Sequence, residues 1–183
     1  VIVAADHGEF DGPQPGMIDL PSVLKKVINA DGILLSPGML THCYEIFNKK
    51  NSPVSIIRIN WSTTYCFSWQ YREAVTVPAI SVKEAISLGA EIVLISLTLK
   101  TGDEKIDAQN IEVFCKLTNE AKSFGIPVIG EAFPVITKEL TPDELFEQVY
   151  ISCRILAELG ADAIKTFYTK NFKEVAKSCP VPI

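Results

Sequence analysis

Lys165 closes the run Gly160-Ala161-Asp162-Ala163-Ile164-Lys165-Thr166-Phe167-Tyr168-Thr169. The residues before it read as a buried parallel strand, where an ammonium group has no routine use. An unpaired ammonium in apolar surroundings tends to lose its proton. A neutral lysine attacks carbonyl carbon, and the resulting imine draws electrons from the adjacent C–C bond. The residue therefore points to Schiff-base chemistry. The competing reading is a strand-end lysine snorkelling to solvent.

Other polar residues stand at similar places. Asp6 and His7 directly follow the apolar run Val1–Ala5. Asp6 is suited to hold a substrate hydroxyl, pair with Lys165 or shuttle a proton; the alternative is an Asx turn into Gly8. Arg58 lies inside Ile56-Ile57-Arg58-Ile59 and requires an anion there. That anion is a carboxylate such as Asp6 or Glu131, or a substrate phosphate or carboxylate. Glu131 ends another apolar run and is a candidate acid/base or lysine partner. Lys100, followed by Thr101-Gly102-Asp103, reads as an exposed turn residue. Trp61, Tyr65, Phe67, Trp69 and Tyr71 fit a pocket wall, an oligomer contact or ordinary loop packing. The two histidines, His7 and His42, have no ligand spacing, which disfavours a zinc-dependent aldolase, and no metal is expected.

These residues need elements to position them. Apolar strands are predicted over Val1–Ala5, Gly32–Ser36, Val54–Asn60, Ile92–Leu97, Val128–Phe133 and Ala163–Phe167, with a seventh beginning at Val181–Ile183. Helices are predicted over Leu20–Asn29, Leu40–Lys49, Val82–Leu88, Ala108–Phe124, Pro142–Leu159 and Phe172–Lys177, with Thr141 as an N-cap. An acid recurs before several strands, as Asp31, Glu91 and Asp162, the last two just after a helix-ending glycine. Repeated βα units with continuous apolar strands indicate a (β/α)8 TIM barrel, apparently incomplete at the C-terminus with about strands 1 to 7 present. An open Rossmann-like sheet lacks its Gly-x-Gly-x-x-Gly after the first strand. Polar residues recur at the C-terminal strand ends, where a barrel carries its chemistry.

The bulk properties agree with one domain spanning residues 1–183. The chain is 48% hydrophobic and 21% charged with a net charge of −5 and no Lys/Arg-rich run, which argues against nucleic acid or an anionic membrane as partner. No apolar run reaches the roughly 20 residues that span a bilayer. Five scattered cysteines without a Cys-x-x-Cys suggest reduced thiols and a cytoplasmic location. The ends, Val1-Ile2-Val3 and Pro180-Val181-Pro182-Ile183, read as those of a fragment of a longer protein.

Asp6-His7-Gly8 with Gly12-Pro13, the segment Asp31-Gly32-Ile33-Leu34-Leu35-Ser36-Pro37-Gly38, and the Lys165 motif together resemble the archaeal-type class I fructose-bisphosphate aldolases and their DeoC/LsrF relatives. The resemblance covers nearly the whole chain. It implies Lys165 as the Schiff-base lysine, Asp6 as the strand-one carboxylate, no cofactor, a sugar-phosphate-like substrate and a homo-oligomer. Tyr168, within the matched motif, and Glu131 are the other candidate proton carriers. His7, Arg58 and Tyr168 are candidate substrate-binding residues. Two departures bear on the reaction. The sugar-phosphate aldolases of this family carry Tyr-Pro where this chain has Phe133-Pro134, and often Tyr-Thr-Gly-Asp where it has Tyr168-Thr169-Lys170-Asn171. Glu131, two residues before Phe133, points the same way along a strand and is a candidate substitute. The phosphate grip of such barrels lies in the loops after strands seven and eight, which are expected to be cut or absent here. The implied function is a class I aldolase. The alternatives are a Schiff-base acyl or ketose transferase of the LsrF type, or a catalytically degenerate barrel serving as a binding or assembly module.

Overall fold

The computed structural model describes residues 1–135 and 140–183. Its strands are β1 (Ile2–Ala4), β2 (Gly32–Leu35), β3 (Val54–Arg58), β4 (Asn60–Ser62), β5 (Thr76–Pro78), β6 (Ile92–Leu97), β7 (Val128–Ala132) and β8 (Ala163–Lys165). Its helices are α1 (Gly8–Asp11), α2 (Leu20–Lys26), α3 (Pro37–His42), α4 (Val82–Leu88), α5 (Glu104–Phe124), α6 (Pro142–Glu158) and α7 (Phe172–Ser178). Six strands form one parallel sheet in the order β1-β2-β3-β6-β7-β8, and β4 and β5 make a separate antiparallel pair. The main sheet curls into part of a barrel, with helices packed on its outer face.

Period-two alternation gives each strand two faces. Ile33, Leu35, Ile57, Val93, Ile95, Val128 and Ile164 pack outward in the main core with helix residues such as Leu24, Phe114, Leu117 and Leu156. Leu34, Ile56, Leu94 and Ile129 make a separate inner cluster, with Ala4, Ile92 and Ala163 against it. The next inward positions toward the C-terminal ends of three of these strands are Arg58, Glu131 and Lys165. One apolar layer therefore supports a charged layer directly above it.

Local signals explain the helix boundaries. Ser81 with Glu84, and Thr141 with Glu144, form capping boxes at α4 and α6. Asp103 accepts from the Lys105 and Ile106 amides, so α5 begins at Glu104, four residues before the sequence expectation. Pro37 starts α3 early, and the chain tightens at Cys43 into a 3-10 turn over Tyr44–Ile46, splitting the single helix expected over Leu40–Lys49. The recurring acids have a shared duty. The Glu91 carboxylate accepts from the Ser55 amide at 2.9 Å, and that of Asp162 from the Val128 amide at 2.8 Å. Each acid thus satisfies the first amides of the neighbouring strand.

Two expectations need correction. The strand expected over Val54–Asn60 ends at Arg58; Asn60 begins β4, and the aromatic-rich stretch that follows holds two 3-10 turns and β5 of the β4–β5 hairpin. Asn110 of α5 anchors this excursion, accepting from the Thr76 amide at 3.0 Å and donating to the Ala74 carbonyl at 2.7 Å. Among the described residues the expected seventh strand is not formed; its segment meets the sheet edge through the Ile164 amide, which donates to the Pro182 carbonyl at 2.8 Å. Pro180 and Pro182 have no amide to extend a ladder.

Candidate active site

The charged layer is assembled by register. β7 and β8 pair Glu131 with Lys165, and β7 pairs with β6 through Glu131 and Ser96. Lys165 Nζ forms an ion pair with Glu131 Oε1. Arg58 lies between two carboxylates: its Nε donates to Asp6 Oδ2 at 2.5 Å and its Nη2 to Glu131 Oε2 at 2.6 Å. The Tyr65 hydroxyl also donates to Glu131 Oε2, at 2.6 Å. A continuous hydrogen-bonded path thus runs from Asp6 through Arg58 and Glu131 to Lys165.

Burial makes this network costly to break. Asp6, Arg58 and Glu131 are all buried, at 4%, 1% and 2% exposure. Burial opposes ionisation of Glu131, but Arg58, Lys165 and its hydrogen bonds outweigh it and hold the carboxyl below its usual range. Burial likewise opposes the Arg58 charge, which the neighbouring Tyr65, Glu131 and Asp6 more than restore. The guanidinium lies 4.7 Å from the Tyr65 ring centroid and 5.3 Å from that of Phe10, within cation–π range. Its Nη1 has no hydrogen-bond partner among the described residues.

A cavity of about 350 Å³ opens over this layer. Asp6, His7, Asp11, Gln14, Arg58, Tyr65, Glu131 and Lys165 supply its polar lining. Phe10, Phe67, Phe133 and Phe167 supply aromatic walls. The rings form a packed ribbon, with centroids 4.6 Å apart for Phe10–Tyr65, 4.2 Å for Tyr65–Phe133 and 5.1 Å for Phe133–Phe167. Lys165 also borders an apolar hollow of about 450 Å³ along the inner face of the sheet. Its side chain, 42% exposed, is open to carbonyl compounds of small size.

This exposure corrects the opening argument about Lys165. The ammonium is neither dry nor unpaired, and Glu131 is the group in contact with it. Asp6 is linked to the lysine through Arg58 and then Glu131. Of the other residues singled out, His7 is exposed on the cavity rim. Tyr168 is 84% exposed and stacks on Phe172 beside the apolar hollow, away from the carboxylates. Lys100 is exposed and pairs with Glu147 at 2.8 Å. Among the described residues, no three His, Cys, Asp or Glu side chains gather as a metal site.

Two residues were not singled out for chemistry by sequence. Tyr65 belongs to the aromatic-rich stretch, and nothing in the spacing shows that it turns inward while Phe67, Trp69 and Tyr71 stay exposed. Glu9 sits on α1, its amide bonded to the Asp6 carbonyl at 3.1 Å. Its Oε2 is buried without a hydrogen-bond partner among the described residues. Burial raises the Glu9 carboxyl to about 8, with Arg58 opposing and Asp6 adding to the shift. The only sequence signal for Glu9 is its position three residues after Asp6.

Glu9 gives a pH prediction. Below about pH 4.5 the carboxyl is protonated in both folded and unfolded chains. Between there and about pH 8 the unfolded chain releases the proton while the folded one retains it, so stability falls as pH rises. Glu9→Gln mimics the protonated form and removes this dependence. The variant is expected to gain on the order of 2–4 kcal/mol over the parent between pH 5 and pH 8.5. Parallel urea titrations at the two pH values measure this difference, and equal pH dependence of both proteins would contradict it.

Known proteins share this arrangement of strands. The family model for DeoC/LacD family aldolases matches residues 1–183. An uncharacterised aldolase of Saccharolobus solfataricus is 30% identical over 191 residues, covering 100% of this chain and 70% of that protein. The 3-hydroxy-5-phosphonooxypentane-2,4-dione thiolase of Klebsiella pneumoniae is 30% identical over 186 residues, covering 100% of this chain and 58% of the thiolase. The crystal structure of an archaeal fructose 1,6-bisphosphate aldolase superposes with a TM-score of 0.80 at 29% identity, over 99% of this chain and 71% of that one. A Schiff-base-forming fructose-1,6-bisphosphate aldolase gives 0.81 at 30% identity, over 99% and 71%. The sequence, the partial α/β barrel and these likenesses converge: the chain belongs to the DeoC/LacD family of aldolases, with class I, lyase-type aldolases among its structural neighbours.

Proposed function

We propose that this chain carries the imine-forming centre of a class I aldolase acting on a small, phosphorylated, sugar-like carbonyl compound. The observation that carries the proposal is the Lys165–Glu131 ion pair, set in a buried charge layer and open to a cavity. Glu131 takes a proton from the Lys165 ammonium. The freed amine attacks the carbonyl carbon, so a C–N bond forms as the C=O π pair moves to oxygen. That oxygen takes the proton back from Glu131, giving the carbinolamine. The hydroxyl then leaves as water with a second nitrogen proton, and a protonated imine remains. The imine accepts the electron pair of the neighbouring C–C bond when that bond breaks. Asp6, fixed by Arg58, faces the same cavity and is the second carboxylate for the substrate hydroxyl proton.

The phosphorylated substrate class rests on the likeness to a fructose-1,6-bisphosphate aldolase and to a 3-hydroxy-5-phosphonooxypentane-2,4-dione thiolase. A transfer reaction through the same imine is the second reading. The thiolase likeness and the absence of a hydroxyl at Phe133 favour it.

Borohydride reduction in the presence of dihydroxyacetone phosphate tests both readings. Wild-type protein is expected to gain a stable adduct on the peptide containing Lys165, and Lys165→Met to gain none there. If wild-type Lys165 stays unmodified across sugar phosphates and phosphorylated ketones, both readings fail and a binding or assembly role gains ground. Product analysis then separates cleavage from transfer.

A further inference from the structure

We propose that Tyr65 is a positioning residue for proton transfer at Lys165, holding Glu131 so that one oxygen serves Arg58 and the other serves the lysine. The inference rests on the imine-forming reading above. Glu131 offers two oxygens to three donors. Arg58 Nη2 and the Tyr65 hydroxyl share Oε2, both at 2.6 Å, while Lys165 takes Oε1. Two fixed donors on Oε2 hold the carboxylate plane and leave the Oε1 lone pair for the lysine proton. Arg58 alone would fix that oxygen less firmly, since its guanidinium also serves Asp6.

Tyr65 itself has little freedom. Its ring is buried between Phe10 and Phe133, with the Arg58 guanidinium against its face. The phenol remains a donor across the neutral range. Burial and the Glu131 charge push its ionisation well above the ordinary phenol range, outweighing Arg58. The hydroxyl therefore stays protonated as a donor to Glu131. It keeps Glu131 ionised and aimed, and Glu131 moves the proton.

The charged and titratable groups around Glu131 come from several elements. They are Arg58 on β3, Lys165 on β8, Tyr65 in the turn after β4, Asp6 after β1 and, beyond Arg58, Glu9 on α1. Removing the Tyr65 hydroxyl takes away a donor that lowers the Glu131 ionisation range. The acid limb of imine formation, set by ionised Glu131, then moves to higher pH.

The test measures the initial rate of borohydride trapping with dihydroxyacetone phosphate against pH, in the intact protein. Tyr65→Phe keeps the ring and its packing while deleting the hydroxyl. The expected result is an acid limb displaced upward by about one pH unit, a trapping rate up to about tenfold lower within that limb, and recovery toward the wild-type rate near neutral pH. The same comparison in a Glu9→Gln background shows that the limb does not belong to Glu9. Tyr65→Leu controls for packing, and thermal melts of all variants record stability. An unmoved acid limb in Tyr65→Phe overturns the inference, even if the overall rate falls. If wild-type protein shows no trapping at all, the imine-forming reading fails first, and the inference with it. Trapping in wild type with an unmoved limb in the variant defeats the Tyr65 role alone.

Discussion

Arg58→Met is expected to destabilise the protein by about 3–5 kcal/mol at pH 8, among the largest effects of any single replacement in this chain. Arg58 lies at 1% exposure between the Asp6 and Glu131 carboxylates. Methionine fills much of the volume but supplies no charge, so two buried carboxylates face one another. Lys165 and Tyr65 still hold Glu131, whereas Asp6 loses the side chain that neutralises it. The sign of the pH effect follows. At high pH the missing cation costs most. As pH falls Glu131, no longer held down by Arg58, protonates more readily, and the difference from wild type narrows. Urea unfolding at pH 5 and pH 8 checks both statements. A loss below about 1 kcal/mol at pH 8, or one that does not narrow at pH 5, contradicts this account. Arg58→Lys restores the charge but not the fork that reaches Asp6 and Glu131 together, so its stability is expected between the two.

Glu131→Gln is expected to slow imine formation by about 10²–10⁴-fold, the usual range for loss of a positioned acid/base. The amide keeps the carboxylate shape and its oxygen still accepts from Arg58 or Tyr65. It cannot take a proton from Lys165. The measurement is the trapping rate at saturating carbonyl compound, read alongside a thermal melt. A variant that traps within tenfold of wild type would reassign the proton to Asp6 or to solvent and reduce Glu131 to a structural counter-ion. A folded variant with the expected loss places the transfer at Glu131. The Arg58 and Glu131 effects are coupled through shared hydrogen bonds, so the double variant is not expected to show the sum of the two.

Much of the scaffold was legible because it rests on local rules. Continuous apolar runs marked all six parallel strands, since a sheet that is apolar on both its outer and inner faces leaves little room for polar alternation. Glycines and acids between helix and strand were visible as a repeat, although their shared purpose was not. Only the folded chain shows the Glu91 and Asp162 carboxylates capping the neighbouring strand. Boundaries were less legible. The β4–β5 hairpin escaped notice because its strands are three residues each and its support comes from Asn110, more than 30 residues away in the chain.

For the site, residue type and strand-end position were enough to bring Lys165, Asp6, Glu131 and Arg58 forward, and the family resemblance ordered them. The sequence by itself determined which charges had to be reconciled, because an arginine within an apolar strand and carboxylates at the ends of two others cannot be left unpaired in a protein interior. Which of them would meet was a matter of register and curl. Pairing of Glu131 with Lys165 across β7 and β8 put the ammonium on Glu131 and not on Asp6. Curling of the sheet let Arg58 bridge residues 52 and 73 positions away in the chain. The tertiary structure alone selected Tyr65 from five aromatics, because only a fixed backbone decides which ring of an irregular segment turns inward toward a buried carboxylate.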